Sequence, residues 1–388
     1  MRIEGFHDYL VPAVNFMGPG AVKMVGERAK MLGGTKALIV CDKVLKSIPG
    51  GAVDKVLDEL KKVNLPYVIY DGVEPNPKEH NVVEGAAMYK DNKCDFMVTI
   101  GGGSSHDCGK GIGIYLNNGT DLYALAGIET LKNPLPTIIA VNTTAGTGSE
   151  VTRHCVIANS EKKIKYVIVS WRNLPTISIN DSDLMIGKPQ GLTAATGMDA
   201  LTHAYECYVS INANPVTDAA SIQGIKLVSK WLRKAVALGT NREARENMAY
   251  ASMLAGMAFN NGDLGYVHAM AHQLGGTWDM PHGVANAMLL PTVEKWNMIS
   301  NPEKFADTAA FMGEVVTGLS VLEQADKAIA SIERLSKDVG IPVGLKGQGV
   351  TEDSIPRMAE LALKDGNAFS NPRVGKVKDI EALFRAAM

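Results

Sequence analysis

Apolar residues in the first half of the chain fall in short unbroken runs. Ala37-Leu38-Ile39-Val40-Cys41, Tyr67-Val68-Ile69-Tyr70, residues 95–100, Thr137-Ile138-Ile139-Ala140-Val141 and Ile177-Ser178-Ile179-Asn180-Asp181 have strand length, and most are rich in β-branched side chains. Between them, residues 52–63 and 82–90 repeat apolar positions at helical spacing. Strand–helix alternation of this kind predicts an α/β domain with a parallel sheet, and ligands to such a sheet bind at the carboxyl ends of its strands.

The pattern changes after Asp181. Residues 193–210, 218–237, 242–259 and 323–339 read as long helices, with few strand-like runs among them. Gly187 to Leu192, with Pro189, marks the expected boundary, giving an α/β domain over residues 1–187 and an all-helical domain over 188–388. Residues 248–259 are apolar nearly all round and, being too short for a membrane span, predict a buried core helix.

A chain of 388 residues calls for two cores. A net charge of −2 with no basic stripe argues against nucleic acid and anionic membrane as partners. The densest basic cluster, Glu161-Lys162-Lys163-Ile164-Lys165, reads as a solvated turn. Cys41, Cys94, Cys108, Cys155 and Cys207 are scattered and form no CxxC pair, which points to free thiols in a reducing cytoplasm. Met1 to Leu10 carries charges and no apolar core of a signal peptide.

Candidate chemistry concentrates in two places. The first is a group of five side chains in the helical half. Asp199 and His203 are i, i+4 on one predicted helix, His268 and His272 repeat that spacing on another, and His282 follows in Pro281-His282-Gly283. Histidines are rare in this chain, eight in all. Imidazoles with a carboxylate and no thiolate suit a catalytic rather than a structural metal site. Five candidates exceed the four such a site needs, so one stands behind the ligands or in the chemistry. Any one of these pairs alone could be hydrogen-bonded core.

The second place is a pair of loops. Gly101-Gly102-Gly103-Ser104-Ser105-His106-Asp107 follows a strand and opens a helix, where bare N–H groups favour phosphate. Thr143-Thr144-Ala145-Gly146-Thr147-Gly148-Ser149-Glu150 follows another strand with hydroxyls and glycines. Two such loops on one sheet edge could hold a pyrophosphate and a ribose. Asp42, at the end of the first run, is placed to accept hydrogen bonds from an adenosine ribose and would repel a 2′-phosphate, favouring NAD over NADP. A tight turn, a hydroxyl-rich helix cap and a turn-initiating aspartate are the plain alternatives for these three features.

These motifs, with Ala194-Ala195-Thr196-Gly197-Met198-Asp199-Ala200-Leu201-Thr202-His203, the segment from Gly265 to Gly275, and Gly366-Asn367-Ala368-Phe369-Ser370-Asn371-Pro372-Arg373, resemble the iron-containing (group III) alcohol dehydrogenase family over nearly the whole chain. The resemblance implies a dehydroquinate synthase-like architecture, with NAD on the α/β domain, metal on the helical domain and the active site in the cleft between them. Asp199, His203, His268 and His282 match the family's metal ligands. The metal would be Fe²⁺, although Zn²⁺ and Mn²⁺ suit the same donors. His272 matches a histidine near the nicotinamide, a candidate proton relay. Asp42, Asn76, Gly102, Gly103, Ser104, Asp107, Thr143, Thr144, Thr147, Ser149 and Lys165 match cofactor-contacting positions. A small primary alcohol or aldehyde as substrate and a homo-oligomer complete the expectation. A phosphorylated polyol substrate would want paired cations beside the ligand motifs, and the basic residues from Lys226 to Arg245 lie away from them. A non-catalytic metal- or nucleotide-binding protein would have no use for His272.

Overall fold

The computed structural model describes residues 7–160 and 164–388. Glu161, Lys162 and Lys163, most of the expected solvated turn, lie outside the described residues. The chain divides into two compact units, Leu10–Ile186 and Gly187–Met388, and His7, Asp8 and Tyr9 group with the second.

The first unit contains, in chain order, β1 (Val14–Met17), α1 (Met24–Met31), β2 (Ala37–Val40), α2 (Lys43–Lys46), α3 (Ala52–Lys62), β3 (Tyr67–Tyr70) and α4 (Glu79–Asp91). There follow β4 (Phe96–Gly101), α5 (Gly103–Asn117), β5 (Gly127–Ile128), β6 (Thr137–Asn142), β7 (His154–Asn159), β8 (Ile164–Val169) and β9 (Ile177–Asn180). Among the described residues, six strands form a parallel sheet in the order β1-β9-β6-β4-β2-β3. The chain moves outward from β2 to β3, then returns across β2 to β4. This reversal puts a topological switch between β2 and β4, where open α/β sheets bind ligands. The glycine loop leaves the sheet there, at the carboxyl end of β4.

Burial explains why these runs are apolar without interruption. Ala37 and Ile39 of β2 enter one core with Val98 and Ile100, while Leu38 and Val40 enter the opposite core with Met97. Both faces of the strand are covered, so alternation disappears from the sequence. Each of the larger side chains, from valine upward, contributes about 1.5–3 kcal/mol by leaving water.

The structure adds β1, which pairs with β9 at the sheet edge, and a small sheet in the order β5-β8-β7. β7 and β8 carry apolar runs of their own, Cys155-Val156-Ile157-Ala158 and Tyr166-Val167-Ile168-Val169, and buried and partly buried residues alternate over most of each strand.

The second unit holds α6 (Gln190–Val209), α7 (Pro215–Ala237), α8 (Arg242–Gly262), α9 (Tyr266–Trp278), α10 (His282–Asn297), α11 (Pro302–Phe311), α12 (Val321–Asp338), α13 (Ile355–Ala362) and α14 (Val377–Ala386). Among the described residues it contains no strand. Local signals set several boundaries. Asn214 caps α7 through the N–H groups of Val216 and Thr217, with Pro215 in the first turn, and Ser320 with Glu323 forms a capping box on α12. Residues 248–259 lie in α8, where most of their side chains are buried. Among the described residues, no helix is long and apolar enough to cross a membrane.

The packing of α10 on α6 matters for the chemistry. A Cβ on Gly283 would stand 2.3 Å from the backbone oxygen of Ala195 and 3.3 Å from Asp199 Cβ. Only glycine lets the start of α10 come this close to α6, and the residue before it is His282.

Candidate functional site

Asp199, His203, His268 and His282 come together in the helical unit. Each offers one ligand atom, and these atoms all lie within 4.8 Å of one another. Asp199 and His203 face the same way from α6, with Nδ1 of His203 4.0 Å from Oδ2 of Asp199. His268 on α9 and His282 at the start of α10 turn their Nε2 atoms to Oδ1 of Asp199, at 4.0 and 3.8 Å. Donors bonded about 2.1 Å from a common ion lie roughly 3–4 Å apart, so the spacing fits a metal. One carboxylate with three imidazoles also fits a borderline divalent cation such as Fe²⁺ or Zn²⁺. Asp199, His203 and His268 are buried and His282 is partly exposed.

A second layer of side chains holds the donors. The Glu206 carboxylate, about two turns beyond Asp199 on α6, accepts from Nδ1–H of His268 and from the backbone N–H of Val267. The first bond leaves Nε2 of His268 with its lone pair toward Asp199. Burial, together with neighbouring Glu294, pushes the Glu206 carboxyl up, and the N–H donors at the start of α9 pull it back toward the anion. Asn286, one turn after His282, donates its amide to Oδ1 of Asp199 at 2.7 Å and lies 3.0 and 3.2 Å from Nε2 of His268 and His282. Neither Glu206 nor Asn286 was singled out by the sequence. Asn286 carries the i, i+4 relation to His282 that could have drawn attention to it.

His272 stands beside this group. Its ring stacks on His282 with centroids 5.5 Å apart, and meets His268 edge-on at 6.4 Å. Nδ1 of His272 lies 2.7 Å from Oδ2 of Asp365.

In the α/β unit the two loops meet. β4 and β6 are neighbours, with Gly101 opposite Asn142, and the Thr143 N–H donates to the Gly101 carbonyl at 2.8 Å. A Cβ on Gly102 would lie 2.7 Å from Thr144 Oγ1, and one on Gly103 would lie 3.0 Å from Thr147 Cγ2. The loops touch through bare backbone. No side chain caps α5, so the N–H groups of Gly103 and Ser104 point from a helix start with its partial positive charge. This arrangement fits a phosphate-bearing cofactor. Thr144 N–H donates to Asn142 Oδ1 at 3.0 Å, and Thr147 Oγ1 accepts from Ser149 N–H at 3.3 Å.

Asp107 and Ser149 buttress that surface. The Ser149 hydroxyl donates to Asp107 at 2.7 Å, and the other carboxylate oxygen accepts from Val156 N–H at 3.2 Å. Fully buried Lys110 donates to the Ser149 carbonyl and hydroxyl and to the His154 carbonyl. Burial pushes the Asp107 carboxyl up and the Lys110 ammonium down, and each charge opposes the shift of the other. Beneath the same loops, burial raises Glu150 to about 7 against the opposing pull of Asn180 and Asn142. Burial lowers His106, whose Nδ1 meets the Thr99 hydroxyl at 2.8 Å, to about 3.

The remaining expected cofactor positions separate into two places. Asp42 follows β2 and caps α2, accepting from Leu45 N–H at 2.7 Å through Oδ1. Asn76, in a left-handed conformation with φ 53°, accepts from Lys165 Nζ at 2.8 Å, where the loop after β3 meets β8.

With this geometry in hand, comparison with known proteins is decisive about kinship. A family model described as iron-containing alcohol dehydrogenase matches residues 12–182, and one described as the C-terminal part of the Fe-containing alcohol dehydrogenase family matches residues 193–388. The chain belongs to the iron-containing alcohol dehydrogenase family. Within the family it is 66% identical over 380 residues to the 1,3-propanediol dehydrogenase of Klebsiella pneumoniae, covering 98% of each chain. It is 44% identical to the NAD-dependent methanol dehydrogenase of Bacillus methanolicus, covering 98% of this chain and 100% of the relative. A crystal structure of 1,3-propanediol oxidoreductase superimposes with a TM-score of 0.97 at 65% identity, covering 99% of this chain and 100% of that one. The chain is thus an oxidoreductase of this family, with the α/β and helical halves that the family's structures share.

Proposed function

We propose that this iron-containing alcohol dehydrogenase interconverts small primary alcohols and aldehydes with NAD(H), its main pair being 1,3-propanediol and 3-hydroxypropionaldehyde. The observation that carries the reading is the meeting of one carboxylate and three imidazoles, all four ligand atoms within 4.8 Å. The 66% identity to a 1,3-propanediol dehydrogenase supports the choice of substrate. In this reading the helical unit holds Fe²⁺ through Asp199, His203, His268 and His282. The α/β unit holds NAD through the loops after β4 and β6, with Asp42 selecting the unphosphorylated ribose. The Asn76–Lys165 pair belongs to the same cofactor surface.

A bound ferrous ion would supply Lewis acidity toward the substrate oxygen, and NAD would supply the hydride acceptor. The chain's own residues do the rest. Asp199 contributes the single negative charge of the donor set, and Glu206 and Asn286 fix the directions of its members. Alcohol oxidation removes a hydride from carbon and a proton from oxygen, and Nε2 of His272 takes that proton, directly or through a water. A cytoplasmic location and assembly as a homo-oligomer belong to the same proposal, the first supported by five buried free thiols.

Steady-state kinetics of the anaerobically purified, iron-loaded protein test this reading. With NAD, kcat/KM is expected to be highest for 1,3-propanediol among 1,3-propanediol, methanol, ethanol and 1-butanol, and to fall when NADP replaces NAD. A preference for methanol would move the chain to its other relative's chemistry, and no turnover with any of the four would refute the proposal.

A further inference from the structure

The segment after α13 is anchored around the start of α9. The Ser370 carbonyl accepts from Ile211 N–H at 3.0 Å. Asn371 accepts from Tyr266 N–H at 3.0 Å and exchanges side-chain amide bonds with Asn297 at 2.8 and 3.1 Å. The Arg373 guanidinium lies over Trp296 at 3.8 Å and donates to its carbonyl at 2.6 Å. Gly375 N–H reaches the Tyr266 hydroxyl at 2.8 Å. These bonds fasten the segment to α9 and α10, the helices that carry His268, His272 and His282.

Asp365 stands at the head of this strap and uses its two oxygens differently. Oδ1 caps the turn Gly366–Ser370 by accepting from Asn367 N–H at 3.0 Å. Oδ2 faces Nδ1 of His272 at 2.7 Å. A carboxylate only accepts hydrogen bonds, so the imidazole hydrogen sits on Nδ1 and the lone pair on Nε2. The His272 side chain is 10% exposed and that of Asp365 13%, so water competes weakly for this bond. Stacking on His282 then keeps the ring in one plane.

We propose that Asp365 is the positioning residue that fixes His272 in the Nδ1–H tautomer and so presents Nε2 as the proton acceptor. The proposal rests on the relay role given to His272 above. Asparagine at 365 separates the two jobs of the carboxylate. Its Oδ1 still caps the turn, but its amide N–H faces Nδ1 and favours the opposite tautomer, with the hydrogen on Nε2.

The test is Asp365→Asn in the iron-loaded enzyme, alone and combined with His272→Ala. Turnover is expected to fall by about a hundred- to ten-thousandfold, the range for losing an oriented acid–base group. Iron content should be unchanged, and KM for alcohol and NAD should stay within about threefold. Asp365→Glu should recover part of the loss, and Asp365→Asn should cost nothing further in the His272→Ala background. Wild-type turnover in Asp365→Asn, lost iron, or multiplying effects in the double variant would each overturn the proposal. Full activity in His272→Ala would instead refute the relay role, so the two failures are distinguishable.

Discussion

In the α/β unit the candidate ligand-binding groups are backbone N–H groups and hydroxyls at the ends of β4 and β6, and glycines let these loops touch. In the helical unit they are side chains on α6, α9 and α10, and a further residue restrains several of them: Glu206 on His268, Asn286 on Asp199, Asp365 on His272. In the proposed reading, the difference follows from what each ligand needs. A pyrophosphate spreads its charge over several oxygens and is met by many weak donors. A metal ion concentrates charge at a point and requires a few donors in fixed directions. Buried carboxylates behave alike in the two places: burial raises Glu150 to about 7 beneath the loops after β4 and β6 and pushes Glu206 well above its ordinary value, and in each case neighbouring hydrogen-bond donors oppose the shift.

The comparison breaks most directly at Gly283. In Gly283→Ala the new methyl meets the Ala195 carbonyl at 2.3 Å, so α10 must back away from α6 and carry His282 from Asp199. Iron affinity, measured by competition with a chelator, is expected to fall by about a hundredfold, as when a supporting contact of a metal site is lost. NAD binding should stay unchanged. Unchanged iron affinity would mean that the helical site is not preset by this contact.

The next effect, on stability, is expected at Glu150. Its folded pKa of about 7 exceeds the ordinary value of 4.5, so the folded state binds more protons than the unfolded state between these values. Stability therefore declines as pH rises from about 4.5 to 7, and the ionised residue is a burden above that. Glu150→Gln removes the titration and should stabilise the protein by about 3 kcal/mol at pH 8 and by little at pH 4. Denaturant unfolding of both forms at the two pH values measures it, and an equal difference at both would reject the buried-carboxyl explanation.

Asp42→Ala should have the mildest effect. Losing the bond to Leu45 N–H costs α2 about 1 kcal/mol. Losing the negative charge should raise kcat/KM with NADP by about tenfold, equivalent to ~1.4 kcal/mol, through reduced repulsion of the 2′-phosphate. If NADP use does not change, Asp42 acts as a helix cap and nothing more.

What the sequence made legible follows the range of the interactions involved. The runs at Ala37, Tyr67 and Thr137 announced β2, β3 and β6 because both faces of these strands are covered. Asp199 with His203 announced itself through i, i+4 spacing on one helix. β7 and β8 also carry apolar runs, Cys155-Val156-Ile157-Ala158 and Tyr166-Val167-Ile168-Val169, but nothing local tells that they pair with each other in a separate small sheet. The restraining residues were hidden for a similar reason. Glu206 and His268 are 62 positions apart, Asp199 and Asn286 are 87 apart, and His272 and Asp365 are 93 apart. No local periodicity connects such pairs, because only the packing of α6, α9, α10 and the strap after α13 brings them together. The loops after β4 and β6 lie between these cases. Their glycines and hydroxyls were visible, whereas the engagement of Asp107 and Ser149 with each other became plain only in three dimensions.

The central claim is that the cluster of Asp199, His203, His268 and His282 holds the metal on which turnover depends. Metal-stripped protein should be titrated with Fe²⁺ under anaerobic conditions while NAD-dependent oxidation of 1,3-propanediol is followed, alongside Asp199→Asn. The account predicts negligible activity in the stripped protein, a linear rise that ends at one iron per chain, and no rise in the variant. Full activity in protein shown to be free of metal, or equal recovery in Asp199→Asn, would contradict it.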